Sequence, residues 1–361
     1  MVKTSGIIVN RYPSQRYSTI FNQTSGLLIR SDDEFGNDPF WCSYGPELMD
    51  ISITNWCDKG CSFCYKNSSR AGKHLSLNDY ESILKQASQM KVLQVALGGG
   101  NPNQHPDFCE MLRLTRDEYN IIPSYTTNGR GLSEDVLMAT KRYCGAVAVS
   151  VYEPYDEAFL AIQKLLDFGI KTNIHLLLSS KSIKTAIQWL QNPPTALKGI
   201  NAIVFLNYKP VGRNPNQELL TKNSHDISSF FHLAGSQHEF KIGFDSCSIS
   251  GIGRFINTSP IFAERCEAGR FSMYISEDNR MYPCSFMIGK VEGVPITHDN
   301  VQSVWRNHEI FTSIRSLLAH NSCNDCVAKN VCSGGCPIYP EINICQENEE
   351  NNFRTMTGKI I

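Results

Sequence analysis

Six short runs rich in β-branched and apolar residues recur through the middle of the chain, and each is followed by a stretch with helical periodicity. The runs are 49–54, 93–97, 122–126, 146–151, 172–178 and 202–207. Between them apolar residues fall three and four apart. Tyr80, Ile83, Leu84, Ala87 and Met90 form one such face, and Phe159, Ile162, Leu165, Leu166 and Phe168 crowd another. Ser76 and Ser133 are placed as N-caps, Pro106 and Pro154 suit first turns, and Gly169 is placed to end the fourth helix. Strand–helix units in series predict an α/β fold with a parallel sheet and right-handed crossovers. Six units fall short of the eight of a closed (β/α)8 barrel, and the pattern alone leaves a doubly wound sheet open. Either architecture puts a ligand site at the C-terminal ends of the strands.

The cysteines are the compositional anomaly. There are 14 in 361 residues, three of them within 57–64 and seven between 266 and 345. The formal charge of −1 gives no electrostatic case for nucleic acid or an acidic membrane surface. No apolar run approaches the ~18 residues of a membrane span, and the first residues lack the apolar stretch of a secretory signal. The expectation is a soluble cytoplasmic protein, in which so many cysteines suggest metal, not disulfides. Cys57, Cys61 and Cys64 have C-x3-C-x2-C spacing just after the first strand. Three thiolates are one short of the four that usually hold an iron–sulfur cluster, so one iron would stay open to bind substrate or cofactor. The competing readings are a zinc site or unrelated core cysteines; zinc generally takes four protein ligands, and no fourth Cys or His lies nearby in sequence.

This motif, with Phe63 before its third cysteine and Tyr65 after it, resembles the signature of the radical S-adenosylmethionine (SAM) superfamily. The resemblance implies a [4Fe–4S] cluster whose open iron chelates SAM, and reductive cleavage to a 5′-deoxyadenosyl radical that abstracts hydrogen from a substrate. It makes the fold a partial (β/α)6 TIM-like barrel. It also implies SAM contacts at Phe63, Tyr65, the glycine run Gly98, Gly99 and Gly100 with Asn101 after it, Thr127 and Asn128 after strand three, and Ser150 on strand four. Asn101 stands where the family often has Glu; its carbonyl can accept from an ammonium, without the charge. The turn Tyr208–Arg213 resembles one that follows the last barrel strand in relatives, and Arg213 reads either as a carboxylate partner or as a solvated charge.

The C-terminal cysteines resemble the SPASM extension of radical SAM maturases, a small cysteine-rich domain. The resemblance implies two auxiliary [4Fe–4S] clusters, one on Cys266, Cys284 and Cys336 with Cys247 as the added fourth ligand, the other on Cys323, Cys326, Cys332 and Cys345. Asn279 replaces a glycine of the pattern, and Asn is the best non-glycine residue for a positive φ. The alternative is a zinc ribbon of Cys323, Cys326, Cys332 and Cys336, which leaves three cysteines unexplained. The expected divisions are an N-terminal extension 1–47, a barrel 48–240, a SPASM domain 241–346 and a polar tail 347–361. One helix is expected over 303–319, with Val304, Phe311, Ile314 and Leu318 on its apolar side.

The function implied is hydrogen abstraction from a peptide or protein side chain, giving a crosslink, thioether, epimerised or oxidised residue in a ribosomally made peptide. Implied partners are the peptide and a reductant such as flavodoxin or ferredoxin; about 46 residues precede strand one, short for a leader-binding domain, so either a leader is bound by a separate leader-binding protein or by the barrel, or the substrate needs no leader. A small-molecule substrate is the alternative, and a non-enzymatic iron–sulfur or zinc protein stands behind it. No acid, base or radical-quenching residue stands out; His175 and Glu153 are positioned to face the barrel interior.

Overall fold

The computed structural model describes residues 6–32, 39–215, 218–259, 263–319, 323, 326, 328–329, 332 and 334–345. Three strands, β1 (Ile7–Tyr12), β2 (Tyr17–Asn22) and β3 (Leu28–Asp32), form an antiparallel sheet from the N-terminal segment. Its Phe21 packs on Leu93 and Ile122, which stand at the N-terminal ends of two barrel strands. The small sheet therefore covers the bottom of the barrel, the end away from the cysteine loop.

The central sheet contains β4 (Leu48–Thr54), β5 (Gln94–Gly99), β6 (Ile122–Thr127), β7 (Ala146–Val151), β8 (Thr172–Leu178) and β9 (Ala202–Asn207). These are the six expected strands, within a residue or two at their ends. To them are added β10 (Lys241–Phe244), β11 (Ser272–Ile275), β12 (Arg280–Tyr282) and β13 (Val294–Pro295), in the order β10-β9-β8-β7-β6-β5-β4-β11-β12-β13. From β4 to β10 every neighbour is parallel and the order follows the chain. A doubly wound sheet reverses at a switch point; this one does not, so the strand order is that of the TIM-like fold.

The sheet also runs through the division expected near 240. β10 pairs parallel with β9, and β11 pairs parallel with β4, so cysteine-rich residues are grafted onto the barrel's open edges. The short run Lys241-Ile242-Gly243-Phe244, polar at its start and interrupted by glycine, carries too weak a pattern to announce a strand. Asn279 turns the β11–β12 hairpin at φ 60°. The expected tail 347–361 lies outside the described residues.

The helices on the outer face are α1 (Leu77–Gln89), α2 (Phe108–Arg113), α3 (Glu134–Tyr143), α4 (Asp156–Asp167), α5 (Ile183–Gln191), α6 (His225–Ala234) and α7 (Ile249–Phe255). Ser76 Oγ accepts from Asp79 N at 3.1 Å, and Ser133 Oγ accepts from Val136 N at 3.3 Å. Replacing Ser76 by alanine leaves that first-turn N–H without its cap and is expected to cost about 1 kcal/mol, read as a lower urea midpoint with an unchanged slope. Gly169, at φ 70°, ends α4. Pro106 and Pro154 fall two residues ahead of the first helical residue, outside the turns expected for them.

The helix expected over 303–319 is two helices, α8 (Val301–Asn307) and α9 (Glu309–Ala319), broken at extended His308. The break folds Phe311 back onto Trp305, with ring centroids 5.5 Å apart. Arg315 then reaches the end of α8, donating to Trp305 O at 2.6 Å and to Gly269 O at 2.5 Å. The orphan carbonyl of a helix end is thus satisfied by a buried guanidinium stacked 3.7 Å over Trp41.

Strands of a fully covered parallel sheet usually read as continuous apolar runs. Several here do not. Along β8, Ile174 and Leu176 are buried in the core while Asn173 and His175 alternate with them. Thr126 Oγ1 and His175 Nδ1 lie 3.5 Å apart although β7 separates their strands, so both point into the barrel. The interior is a polar chamber, and the alternation in the sequence was its signal.

Candidate cofactor site at the barrel mouth

The loop that leaves β4 carries Cys57, Cys61 and Cys64, all half-buried. Thr54 Oγ1 accepts from Trp56 N at 2.9 Å, and Cys57 N donates to Ser69 O at 3.0 Å, closing the loop on itself. The turn after β9 holds it from the other side. Arg213 donates through Nη1 to Cys61 O and through Nη2 to Ser68 O, both at 2.9 Å, and through Nε to Asn67 Oδ1 at 3.1 Å. Arg213 N donates to Cys64 O at 2.9 Å, and Asn214 Nδ2 to Ser62 O at 3.0 Å. Arg213 is therefore neither a solvated charge nor a ligand group: its fork of donors is spent on the cysteine loop. Gly212, at φ 81°, allows the close approach, because a Cβ there would lie 2.3 Å from Cys64 O and 2.4 Å from Tyr65 O.

Each of the three sulfurs has a polar neighbour from a different place. The Cys61 thiol donates to Tyr152 Oη at 2.9 Å, Asn128 Nδ2 lies 3.5 Å from Cys57 Sγ, and Ser68 N lies 3.4 Å from Cys64 Sγ. Burial pushes the Cys61 thiol up, Tyr152 and Lys59 oppose this, and the charges of Cys64 and Cys57 add to it. Such mutual repulsion is what a bound cationic centre relieves. Among the described residues no three His, Cys, Asp or Glu groups converge as ligands of a single metal ion. Thiolates of a cluster bind separate irons and need no common point, so the arrangement of these three thiols is compatible with an iron–sulfur cluster. Around it, Lys59 pairs with Glu157 at 2.9 Å, and Arg130 with Glu157 at 2.6 Å.

The glycine run ends β5 beside this loop. Gly100 N donates to Thr54 O at 2.7 Å and Asn101 N to Trp56 O at 3.0 Å. A Cβ on Gly99 would lie 1.9 Å from Thr54 O, and one on Gly100 2.0 Å from Trp56 O. Two of the three glycines thus serve the approach of one loop to another. Gly98 alone faces open space, with nothing within 4 Å of its would-be Cβ.

The expected acceptor role of Asn101 needs correction. Its Oδ1 already accepts from Thr127 Oγ1 at 3.1 Å and Asn128 N at 3.0 Å, and its Nδ2 donates to Gln104 Oε1 and Arg130 O. This fully buried side chain therefore ties the loops after β5 and β6 together, and its carbonyl, shut off from solvent and bonded to Asn128 N, is not presented to an ammonium. Thr127 is likewise turned away from the chamber, donating to Asn103 Oδ1 at 2.7 Å. Its neighbour Thr126 is the residue of that pair that faces inward. Ser150 is half-buried and pairs with His175 in the β7–β8 register. Phe63 packs edge-on against Tyr152 with ring centroids 4.9 Å apart, and Tyr65 lies 5.1 Å from Phe286.

Two groups within the chamber were missed from sequence. Asp50, on β4, is pushed up to about 6 by burial. Glu277 accepts from Ser52 Oγ at 2.8 Å and pairs with Lys66 at 2.6 Å, while Lys66 also donates to Tyr274 Oη at 2.9 Å. This network joins the cysteine loop to the β11–β12 hairpin. His175 is lowered to about 4 by burial and is neutral at physiological pH.

Eight of the eleven remaining cysteines gather in two groups, and Cys42, Cys109 and Cys144 stand apart from both. Cys247 is raised by its hydrogen bond to Cys336 and by burial; Cys266, pushed up to about 12 by burial, also feels Cys247. Cys284, raised by burial, feels both Cys247 and Cys266. Lys209, paired with Asp245 and 4.9 Å from the Phe286 ring centroid, stays protonated: burial opposes its charge, and Asp245, Cys247 and Cys336 outweigh it. Cys332, pushed up to about 11 by burial, feels Cys345 and Cys323; Cys345 feels Cys323 and Cys326.

Residues 51–182 match the radical SAM superfamily. Over 324 aligned residues the chain is 23% identical to the mycofactocin maturase MftC of Mycobacterium tuberculosis, covering 81% of this chain and 78% of that protein. Among solved structures, Streptococcus suis SuiB bound to S-adenosylmethionine superposes with a TM-score of 0.72 at 17% identity, over 95% of this chain and 99% of SuiB. anSMEcpe, solved with AdoMet and a peptide designated Cp18Cys, gives 0.61 at 16% identity, over 81% and 89%. These superpositions establish the shared fold. The family implies a [4Fe–4S] cluster and SAM, and no helix of the described residues is long and apolar enough to cross a membrane. With its cysteine loop inside the matched segment and at the mouth of the barrel, the chain carries a radical SAM domain.

Proposed function

We propose that this protein is a radical SAM enzyme of the SPASM type that modifies a side chain of a peptide. The observation that carries the reading is the cysteine loop itself: three thiols at the C-terminal end of β4, clamped by Arg213, beside a glycine that opens on free space and above a polar chamber. Cys57, Cys61 and Cys64 would hold the cluster, with SAM reaching it past Gly98 and Ser150. When bound, the pair supplies a 5′-deoxyadenosyl radical that removes hydrogen from the substrate. The chain's own contribution is to hold that loop, to line the chamber and to tie the loop through Lys66 to Glu277.

The gathering of Cys247 with Cys266, Cys284 and Cys336 supports a fully ligated first auxiliary cluster, and that of Cys323, Cys326, Cys332 and Cys345 a second. Eight thiols in two fours match two clusters better than the four-cysteine zinc ribbon. On this reading, Cys247→Ser loses part of the iron of the wild-type protein while the SAM-responsive cluster signal persists. Iron content equal to wild type would remove Cys247 from the ligand set.

A peptide substrate is supported by the relatives: one is a maturase, and SuiB has been solved with its precursor peptide SuiA. A cytoplasmic setting, a flavodoxin- or ferredoxin-type reductant and a separate leader-binding protein complete the proposal. Reduced enzyme incubated with SAM and deuterated candidates should transfer deuterium into 5′-deoxyadenosine from a peptide. Transfer from sugars, amines or nucleotides alone would replace the peptide by a small molecule.

A further inference from the structure

We infer that Tyr152 and Asn128 tune the reduction potential of the cluster on Cys57, Cys61 and Cys64, through hydrogen bonds to its sulfurs. The inference rests on the radical SAM reading and goes beyond it, because it assigns a task to two residues of this chain that need not touch SAM or substrate.

The geometry is specific. Each sulfur has one polar partner: Ser68 N for Cys64, Asn128 Nδ2 for Cys57 and Tyr152 Oη for Cys61, at 3.4, 3.5 and 2.9 Å. The first is backbone, and the other two are side chains that substitution can remove. Both are held from behind. Asn128 Oδ1 accepts from Arg130 N at 2.9 Å, which fixes the amide with its nitrogen toward the sulfur. The Tyr152 ring is gripped by the edge contact with Phe63, and Lys59 Nζ lies 4.6 Å from its centroid. Lys59 is itself anchored on Glu157, so the ring sits between fixed neighbours.

With the free thiol, the proton between Cys61 and Tyr152 runs from sulfur to oxygen. A cluster ligand is a thiolate and has no proton to give, so the phenol O–H becomes the donor. Hydrogen bonds to cluster sulfurs are one of the levers on cluster potential. The reduced cluster carries one more negative charge, and a donor stabilises it more than the oxidised one. Removing a donor therefore lowers the potential. The couple is a single electron passed from a low-potential donor such as dithionite, and no bond is made or broken.

The test is a potentiometric titration of the reconstituted full-length protein followed by electron paramagnetic resonance, with the cluster identified by the signal that changes on adding SAM. Tyr152→Phe keeps the ring and its packing and loses one hydrogen bond. At a fixed potential its reduced-to-oxidised ratio should fall about tenfold, a downward shift of about 59 mV for one electron. Asn128→Asp keeps the acceptor for Arg130 N, exchanges the donor for an anion, and should shift the midpoint down further. A purely structural role would change iron content or melting temperature and leave the midpoint alone. Unchanged midpoints in iron-replete variants would overturn the inference, and if Tyr152→Phe loads poorly, the Asn128→Asp midpoint decides. A wild-type protein without a reducible SAM-responsive cluster would overturn the underlying reading, and the inference with it.

Discussion

Cys57→Ala is expected to abolish SAM cleavage, with 5′-deoxyadenosine below about a thousandth of the wild-type yield, while the protein stays folded. The two halves of this result have separate causes. Cys57 is half-buried on a loop, and its backbone N–H, which the substitution retains, donates to Ser69 O. Losing one sulfur leaves Asn128 Nδ2 without a weak acceptor, but no core contact is cut, so the stability change should stay within about 1 kcal/mol. A cluster with two of its three thiolates, by contrast, has lost the ligand geometry that leaves a single open iron. Cys332→Ala should behave differently. That side chain is buried, and its loss should lower iron content and soluble yield together. Circular dichroism and iron assay on both variants check the contrast, and wild-type SAM cleavage by the Cys57 variant would remove that residue from the cluster.

The second large effect is expected at Gly212. Alanine there adopts a left-handed conformation at a cost of about 1–2 kcal/mol. It also places a methyl group 2.3 Å from Cys64 O. Backbone carbonyls cannot yield as a side-chain end can, so the turn must lift off the cysteine loop and carry Arg213 with it. Overpacking of this kind costs roughly 1–3 kcal/mol more. The loss should appear locally, as iron loading and SAM cleavage reduced at least tenfold. Gly26 supplies the control. It has φ 80°, and nothing lies within 4 Å of its would-be Cβ. Gly26→Ala bears the strain without the collision and should keep its full iron. Equal iron in the two variants would show that the Gly212 contact does not hold the loop.

The sequence made legible what depends on local pattern. All six strands of the expected barrel could be read because β-branched runs and helical faces alternate with clear caps, as at Ser76 and Gly169. The cysteine loop could be read because spacing along the chain is the ligand geometry. What could not be read depends on partners distant in sequence. Asn101 looked like a ligand group, and its occupation is visible only when Thr127 and Asn128 fold against it. Arg213 offered two roles, and the third, a clamp 152 residues from Cys61 O, needs the closed barrel. The break at His308 has no proline or glycine to mark it; it exists because Trp305, Phe311 and Arg315 pack better folded than straight. The polar alternation on β8 was in the sequence throughout and points to the chamber that the apolar face of the same strand conceals.

The central claim is that these three thiols hold a cluster that cleaves SAM. Anaerobic reconstitution of the full-length protein with iron and sulfide, followed by reduction in the presence of SAM, tests it most directly. The account predicts bound iron and sulfide and the release of 5′-deoxyadenosine, lost in the Cys57→Ala variant. Zinc without iron, or iron without 5′-deoxyadenosine, would contradict it.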